Sequence, residues 1–232
     1  MPTVSVEHKH LTVLNLFTTD EPHKQDSLIQ EMTKIVNAAT YEGWMSSTVH
    51  AGVDSPGTAN FIQWRSGEDL EKRYAGEEFK HRTLPVFGEI TTSIRLLQNE
   101  VAYTLTSEGP GAEVTICPNR GNYTVIGIHK VEQANQDELI DALGPGQAGI
   151  VDAPGFRGHV VLKGLRARGL EGSFVVSYSQ WENKEAYDAH RDLPEEKWPQ
   201  GRRKAQARID AVTTEYDVNT YQVVLTRAAG DE

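Results

Sequence analysis

Three side chains in the first half of the sequence could act on an oxygen atom of a ligand. His50, Asn60 and Trp64 supply an imidazole, an amide and an indole N–H. Each can donate a hydrogen bond to an oxygen that becomes negative during a reaction, and a histidine can also accept a proton near neutral pH. Side chains alternate along a strand, so Asn60 and Trp64 should project from one face of the same short strand. We therefore predict a catalytic site made of His50, Asn60 and Trp64.

The elements around this site follow a recognisable order. Apolar and β-branched runs predict strands, and apolar positions at helical spacing predict helices. The predicted strands are 11–17, 44–51, 60–64 and 91–106, and the predicted helices are 26–37 and a broken stretch over 66–84. We expect a polar arm before residue 10 and a turn over 85–89. Strand, helix, strand, strand, helix, strand is the ferredoxin-like order, which leaves one sheet face uncovered.

The same order recurs in the second half of the chain. The predicted strands there are 123–131, 156–164, 173–179 and 213–225, and the predicted helices are 136–143, 183–190 and 200–211. We predict an α+β fold with one ferredoxin-like unit over 1–106, an irregular linker over 107–122 and a second unit over 123–232. The two open sheet faces would cover each other, giving a dimeric α+β barrel fused within one chain.

The two copies differ at the residues that could do chemistry. Trp181 repeats Trp64, but Ser177 stands where the first copy has Asn60. His159 lies near the position of His50 without matching it. We therefore expect one working cavity, in the first half, with the second half mainly closing the barrel or serving another purpose.

Composition excludes several classes of function. The net charge of −10 disfavours broad contact with nucleic acid or anionic membranes, and no apolar run is long enough to span a bilayer. The single cysteine and the absence of a signal sequence at the N-terminus predict a soluble cytoplasmic protein. His8 and His10 lack a third ligand, so we predict no metal site. The segment 144–149 matches a dinucleotide-binding glycine pattern, but it follows a helix and is interpreted as a loop.

These residues resemble the antibiotic biosynthesis monooxygenases, small dimeric α+β barrel enzymes that oxidise polycyclic aromatic polyketides such as anthrones. The likeness is carried by His50, Asn60 and Trp64. The family also has a tyrosine in the next helix, whose position here is Leu70 with Tyr74 one turn away, and an arginine further on. The resemblance implies substrate-binding roles for four further residues, namely Tyr74, His81, Arg82 and Trp181. The tandem length also resembles the angucycline ring-opening oxygenases.

The resemblance implies an oxygenase of antibiotic biosynthesis that uses O2 to oxidise or cleave a polycyclic phenol, anthrone or quinone. It implies either no tightly bound cofactor or reduced flavin (FADH2 or FMNH2) as a diffusible cosubstrate. Because no dinucleotide-binding unit is predicted, such flavin would come from a separate flavin reductase. Further homodimerisation of the fused barrel is left open.

Two other functions are kept as alternatives. The same fold supports haem degradation, for which Asn15, Trp64 and a helix histidine such as His81 stand near the required positions. A ligand-binding barrel without catalytic activity is the second alternative. Replacing Asn60 and Trp64 would then change affinity but no rate.

Overall fold

The computed structural model describes residues 1–77, 79, 84–118 and 123–231. Eleven strands are assigned in these ranges: β1 Thr3–Val4, β2 Leu11–Thr18, β3 Trp44–Gly52, β4 Gly57–Trp64, β5 Ser93–Thr106, β6 Gly109–Pro110, β7 Val114–Thr115, β8 Tyr123–Val131, β9 Phe156–Arg168, β10 Ser173–Trp181 and β11 Thr213–Ala228. The α-helices are α1 Pro22–Ala38, α2 Gly67–Ala75, α3 Leu84–Ile90, α4 Gln136–Leu143, α5 Lys184–Arg191 and α6 Gln200–Val212. Short 3-10 segments cover Gln133–Asn135, Pro145–Asp152 and Glu195–Lys197.

Eight long antiparallel strands close into a barrel, four from each half of the chain. Their order is β2-β4-β3-β11-β8-β10-β9-β5, and β5 returns to pair with β2. The last strand of each half crosses to the other half, since β5 pairs with β9 and β11 pairs with β3. Closure leaves no unpaired edge among these eight strands. The predicted α+β fused barrel is therefore confirmed.

Apolar side chains from both halves fill the barrel interior. Leu14, Phe61, Leu162, Val176 and Tyr178 belong to one buried cluster, and the relative exposure of each is 1% or less. The opposite faces of the strands carry the helices, with α1 packed on the first half and α4 and α6 on the second. The molecule thus has a core inside the barrel and two further apolar layers outside it, between sheet and helices.

Several local predictions were wrong. The N-terminal residues are not a free arm, because β1 pairs with β7 and Val4 is fully buried. The linker is not irregular throughout, because Val114 and Ile116 join the barrel cluster and thereby order β7. The predicted turn at 85–89 lies within α3, where Pro85 is tolerated because the first N–H groups of a helix need no intrahelical partner.

The 144–149 segment forms part of a 3-10 helix, Pro145–Asp152, and not a loop. It follows α4 directly, so the glycine pattern does not join a strand to a helix as it would at a dinucleotide site. No helix among the described residues is long and apolar enough to cross a membrane.

Candidate functional site

The first candidate site is a narrow cavity between the sheet of the first half and helices α1, α2 and α3. Its volume is about 80 Å³. Its walls are mainly apolar and aromatic, and include Phe17, Met32, Trp44, Leu70 and Phe87. No carboxylate and no histidine is among the described residues that line it.

Four polar atoms in this apolar cavity have no protein partner among the described residues. They are Asn15 Oδ1, Asn60 Oδ1, Trp64 Nε1 and Tyr74 Oη, and all four are buried. The other tryptophan of the cavity behaves differently, because Trp44 Nε1 donates to Ser47 Oγ at 3.0 Å. A buried polar group without a partner is costly, so four of them around one cavity indicate that a ligand supplies the missing hydrogen bonds.

Strand register brings these groups together. Asn15 and Asn60 lie directly opposite each other in the β2–β4 ladder. Alternation along β4 then places Trp64 on the same face as Asn60, as predicted. Tyr74 comes from α2, which begins after Ser66, whose hydroxyl accepts a hydrogen bond from the Asp69 N–H.

Electrostatics make this cavity a donor site for an oxygen anion. Burial raises the pKa of Tyr74 to about 12, opposed by the nearby Arg168 and Arg73, so the phenol keeps its proton at neutral pH. Tyr74 and Trp64 therefore both offer hydrogens. Arg73 adds a positive charge to the wall, with its guanidinium 4.1 Å from the centre of the Tyr41 ring. A negative oxygen in the cavity would be stabilised by all three groups.

The structure does not bring His50 to Asn60 and Trp64. His50 is paired with Ala59 in the β3–β4 hairpin, so its side chain points to the opposite face of the sheet, into the barrel. There its Nδ1–H donates to the Ala59 carbonyl at 3.2 Å, and its Nε2 accepts from Tyr178 Oη at 3.0 Å. Burial lowers its pKa to about 4. The predicted grouping of the three residues is therefore corrected.

A second and larger cavity lies in the other half, where one working cavity in the first half had been expected. Its volume is about 870 Å³, and it lies between the outer face of strands β8 to β10 and the segments around α5 and α6. Trp181, predicted to bind substrate with the first-half residues, lines this second cavity instead. The two tryptophans belong to different sites because each stays with its own half of the barrel.

Three histidines line the second cavity: His129, His159 and His190. His129 Nε2 lies 3.2 Å from Ser177 Oγ, and His159 Nε2–H donates to the Leu143 carbonyl at 2.9 Å. The His190 ring lies 5.0 Å from the Trp181 ring, measured between centres. Burial lowers the pKa of all three imidazoles, so they are neutral at physiological pH.

Two predicted site residues, His81 and Arg82, lie outside the described residues. Asn15 and Trp64, which the haem-degrading alternative needs, do line the first cavity. Sequence reasoning missed Arg73 and His129. The hairpin register would have separated His50 from Asn60, since pairing across the turn decides which residues of β3 share a face with Asn60.

A family model and a solved structure both match this sequence. The family model described as antibiotic biosynthesis monooxygenase matches residues 122–197, which contain much of the second cavity. The solved structure of an anthrone oxidase-like protein is 68% identical, with a TM-score of 0.97 over 99% of this chain and 98% of that one. None of the curated proteins matches this sequence.

More distant structures share the fold alone. A proposed monooxygenase from Lactobacillus acidophilus NCFM is 12% identical, with a TM-score of 0.61 over 96% of this chain and 97% of its own. A proposed monooxygenase from Fusobacterium nucleatum subsp. nucleatum is 11% identical, with a TM-score of 0.65 over 96% and 95%. The identity of 68% over almost the whole chain decides the relationship. This chain belongs to the antibiotic biosynthesis monooxygenase family.

Proposed function

We propose that this oxygenase oxidises a polycyclic phenol, anthrone or quinone with O2. The ring that is to be oxidised enters the first cavity. The observation that supports this site is the set of unpartnered polar atoms of Asn15, Asn60, Trp64 and Tyr74 in an apolar cavity. An aromatic ring that carries oxygen atoms supplies both the apolar surface and the missing hydrogen-bond partners.

The reaction on an anthrone balances without a further reductant. Loss of a proton from the central CH2 gives the enolate, which passes one electron to O2. The carbon radical and superoxide combine to form a C–O bond and, with the proton returned, a hydroperoxide. Loss of one water molecule from it leaves the quinone. Trp64 N–H and Tyr74 O–H would stabilise the enolate oxygen, and the apolar walls would exclude bulk water.

No general base is assigned among the described residues that line this cavity. His50 lies on the other face of the sheet, and Tyr74 keeps its proton at neutral pH. The donors and the positive charge of Arg73 would instead lower the pKa of the substrate as it binds, and its proton would pass to solvent before the apolar walls enclose the ring. The acidity of the substrate then sets the rate.

The small volume of the cavity sets a condition on binding. Sites for drug-sized ligands measure about 300–1,000 Å³, whereas this cavity measures about 80 Å³. A polycyclic substrate therefore requires the helices over this cavity to move away from the sheet. The anthrone reaction balances with O2 alone, so the proposed mechanism needs no flavin. The assay is nevertheless run both with and without reduced flavin, which a separate reductase would supply.

The test is oxidation of anthrone and of a polycyclic phenol under air, with and without reduced flavin, with products identified by mass. The informative variants are Trp64→Phe and Trp44→Phe. Both residues are buried in the same cavity, but within the described part of the chain only the Trp64 N–H has no partner. We expect Trp64→Phe to lower kcat by about 10²-fold, the scale for loss of one oxyanion donor, and Trp44→Phe to keep the rate.

Two results would contradict the proposal. The first is oxidation no faster with protein than without it, in both the presence and the absence of reduced flavin. The second is an equal loss of rate in Trp64→Phe and Trp44→Phe, because the unpartnered N–H would then have no special part.

A further inference from the structure

The two halves of the barrel meet along two seams. β5 of the first half pairs with β9 at one seam, and β11 of the second half pairs with β3 at the other. At the first seam Val101 lies opposite Leu162, and a bulge follows Val101. At the second seam Val223 lies opposite His50, and a bulge follows Val223 in the same way. An approximate two-fold axis therefore relates the halves, so each contact between them occurs twice with the matching residues exchanged.

Two residues at the same position of the two halves carry opposite charges and meet each other. Arg95 lies opposite Leu16 in the β5–β2 ladder, and Asp217 lies opposite Ile128 in the β11–β8 ladder. Arg95 Nη1 is 2.6 Å from Asp217 Oδ2, and the Arg95 side chain is only 21% exposed. A residue that contacts its own counterpart lies beside the two-fold axis. A barrel made of two first halves would place two guanidinium groups there, and one made of two second halves would place two carboxylates.

A contact inside the barrel is also complementary only between unlike halves. His50 Nε2 bonds to Tyr178 Oη at 3.0 Å, and both residues are fully buried. The matching positions hold Leu162 for His50 and Phe61 for Tyr178, and both belong to the apolar barrel cluster. Two first halves would set His50 against Phe61, and two second halves would set Leu162 against Tyr178. Either barrel would bury a polar side chain without this partner, which is costly.

A third contact ties β11 of the second half to helix α1 of the first. Arg227 Nη1 donates to the carbonyls of Val36 at 2.6 Å and Ala39 at 2.8 Å, where α1 ends. The matching residue of the first half is Leu105, which packs in an apolar cluster with Phe156. Two first halves would bring Leu105 to the end of α1, and the carbonyls would lose their charged donor.

We propose that the two halves are specific partners, so that a barrel closes only from one first half and one second half. Like charges at the two-fold axis and lost hydrogen bonds in the barrel penalise the pairing of a half with its own copy. The partner that this surface fits is the other half of the same chain or of a second copy. The covalent connection favours pairing within one chain. The side chains determine which pairing survives when that connection is cut.

The test cuts the folded chain and lets the halves select their partners. A protease recognition sequence is inserted after the exposed Gly111, which divides the chain into residues 1–111 and 112–232. The cut protein is unfolded in urea and refolded by dilution, and native mass spectrometry counts the three possible pairs. Random selection would make half of the pairs like pairs. We expect like pairs to be at least about tenfold rarer than that, and a random share would overturn the proposal.

Charge reversal at the two-fold axis tests the cause of this selection. After Arg95→Asp all three pairings bring two carboxylates together, so the share of like pairs should rise about threefold or more. Adding Asp217→Arg restores one charge of each sign and should restore the selection. The control is Lys130→Glu, because the Lys130–Glu215 ion pair of 2.6 Å lies within the second half. An unchanged share in Arg95→Asp, or an equal rise in Lys130→Glu, would overturn the proposal.

The intact chain gives a second measurement that needs no reassembly, in case the cut protein does not refold. Urea denaturation compares Arg95→Asp, Asp217→Arg and the double variant with the unchanged protein. We expect each single reversal to lower the folding equilibrium constant about tenfold and the double reversal to recover most of that loss. A double variant as unstable as the two single losses combined would overturn the proposal, since the two positions would then act separately. Neither measurement depends on which cavity carries out the oxidation.

Discussion

The two halves of the barrel hold different side chains at matching strand positions. The pairs, first half before second, are Asn15 and Gly127, Phe17 and His129, Ser47 and His159, and Asn60 and Ser177. The first half has two amides in a cavity of about 80 Å³, and the second has two histidines and small residues in one of about 870 Å³. Both halves keep a tryptophan at the end of the matching strand, Trp64 in β4 and Trp181 in β10. Even the shared tryptophan differs in its contacts, because Trp181 Nε1 donates to Ser179 Oγ at 3.1 Å whereas Trp64 Nε1 has no partner among the described residues.

The largest expected effect comes from changing Asn60, which is replaced by a serine at the matching position of the second half. We expect Asn60→Leu to lower kcat for oxidation by about 10²–10³-fold, because it removes an amide whose N–H groups can donate to the reacting oxygen. Stability should stay the same or rise, since Asn60 Oδ1 is buried without a partner among the described residues and such groups cost about 1–3 kcal/mol. Steady-state kinetics and thermal unfolding measure the two effects.

The matched change in the second half is Ser177→Ala. It removes the partner of His129 Nε2, so we expect a loss of about 1 kcal/mol in the free energy of unfolding with no change in oxidation rate. If both variants lost rate equally, the division of roles between the two cavities would be wrong.

The sequence alone predicts most of the fold because its apolar periods agree with its turns. The α4 bounds and the β8 bounds match those expected, and the repeated strand order leads directly to the closed barrel. Elements held by distant contacts were missed. Val4 and Val114 become strands only by pairing with each other beside the barrel core, and no local pattern reports that pairing.

The candidate site was predicted in part. Alternation along one strand is enough to place Asn60 and Trp64 together. His50 was misplaced because its face depends on the hairpin register, and a shift of one residue reverses the face of every side chain. The second cavity could not be foreseen from Ser177 alone, since its walls also come from Tyr216 of β11 and from the segments around α5 and α6.

A further prediction uses the pH dependence of stability to compare a histidine of each half. Burial lowers the pKa of His50 and His129 from 6.5 to about 4. Between these values the unfolded chain takes up protons that the folded chain does not, so the free energy of unfolding should fall as pH drops from 6.5 towards 4. Above pH 6.5 the free energy of unfolding should not depend on the protonation of these histidines. The slope is about 1.4 kcal/mol per pH unit for each histidine at most.

Urea denaturation at several pH values above 4.5 measures this slope. Carboxylates with lowered pKa, such as Asp69, lose their stabilising effect only below their ordinary pKa of 3.8, so they contribute little in this window. His129→Phe should reduce the slope by the share of one histidine. An unchanged slope would mean that His129 is protonated in the folded protein, against its assignment as a neutral group in the second cavity.

The smallest expected effect concerns the contact that joins the two halves inside the barrel. His50 Nε2 accepts from Tyr178 Oη at 3.0 Å, with both residues fully buried and each from a different half. Because His50 faces neither cavity, we expect His50→Leu, Tyr178→Phe and the double variant to keep the oxidation rate. A double-mutant cycle on unfolding free energies should give a coupling of about 0.5–1.5 kcal/mol, the net value of one hydrogen bond. A coupling near zero would leave the barrel held together by strand pairing and apolar packing alone, and a large loss of rate in His50→Leu would return His50 to the catalytic group.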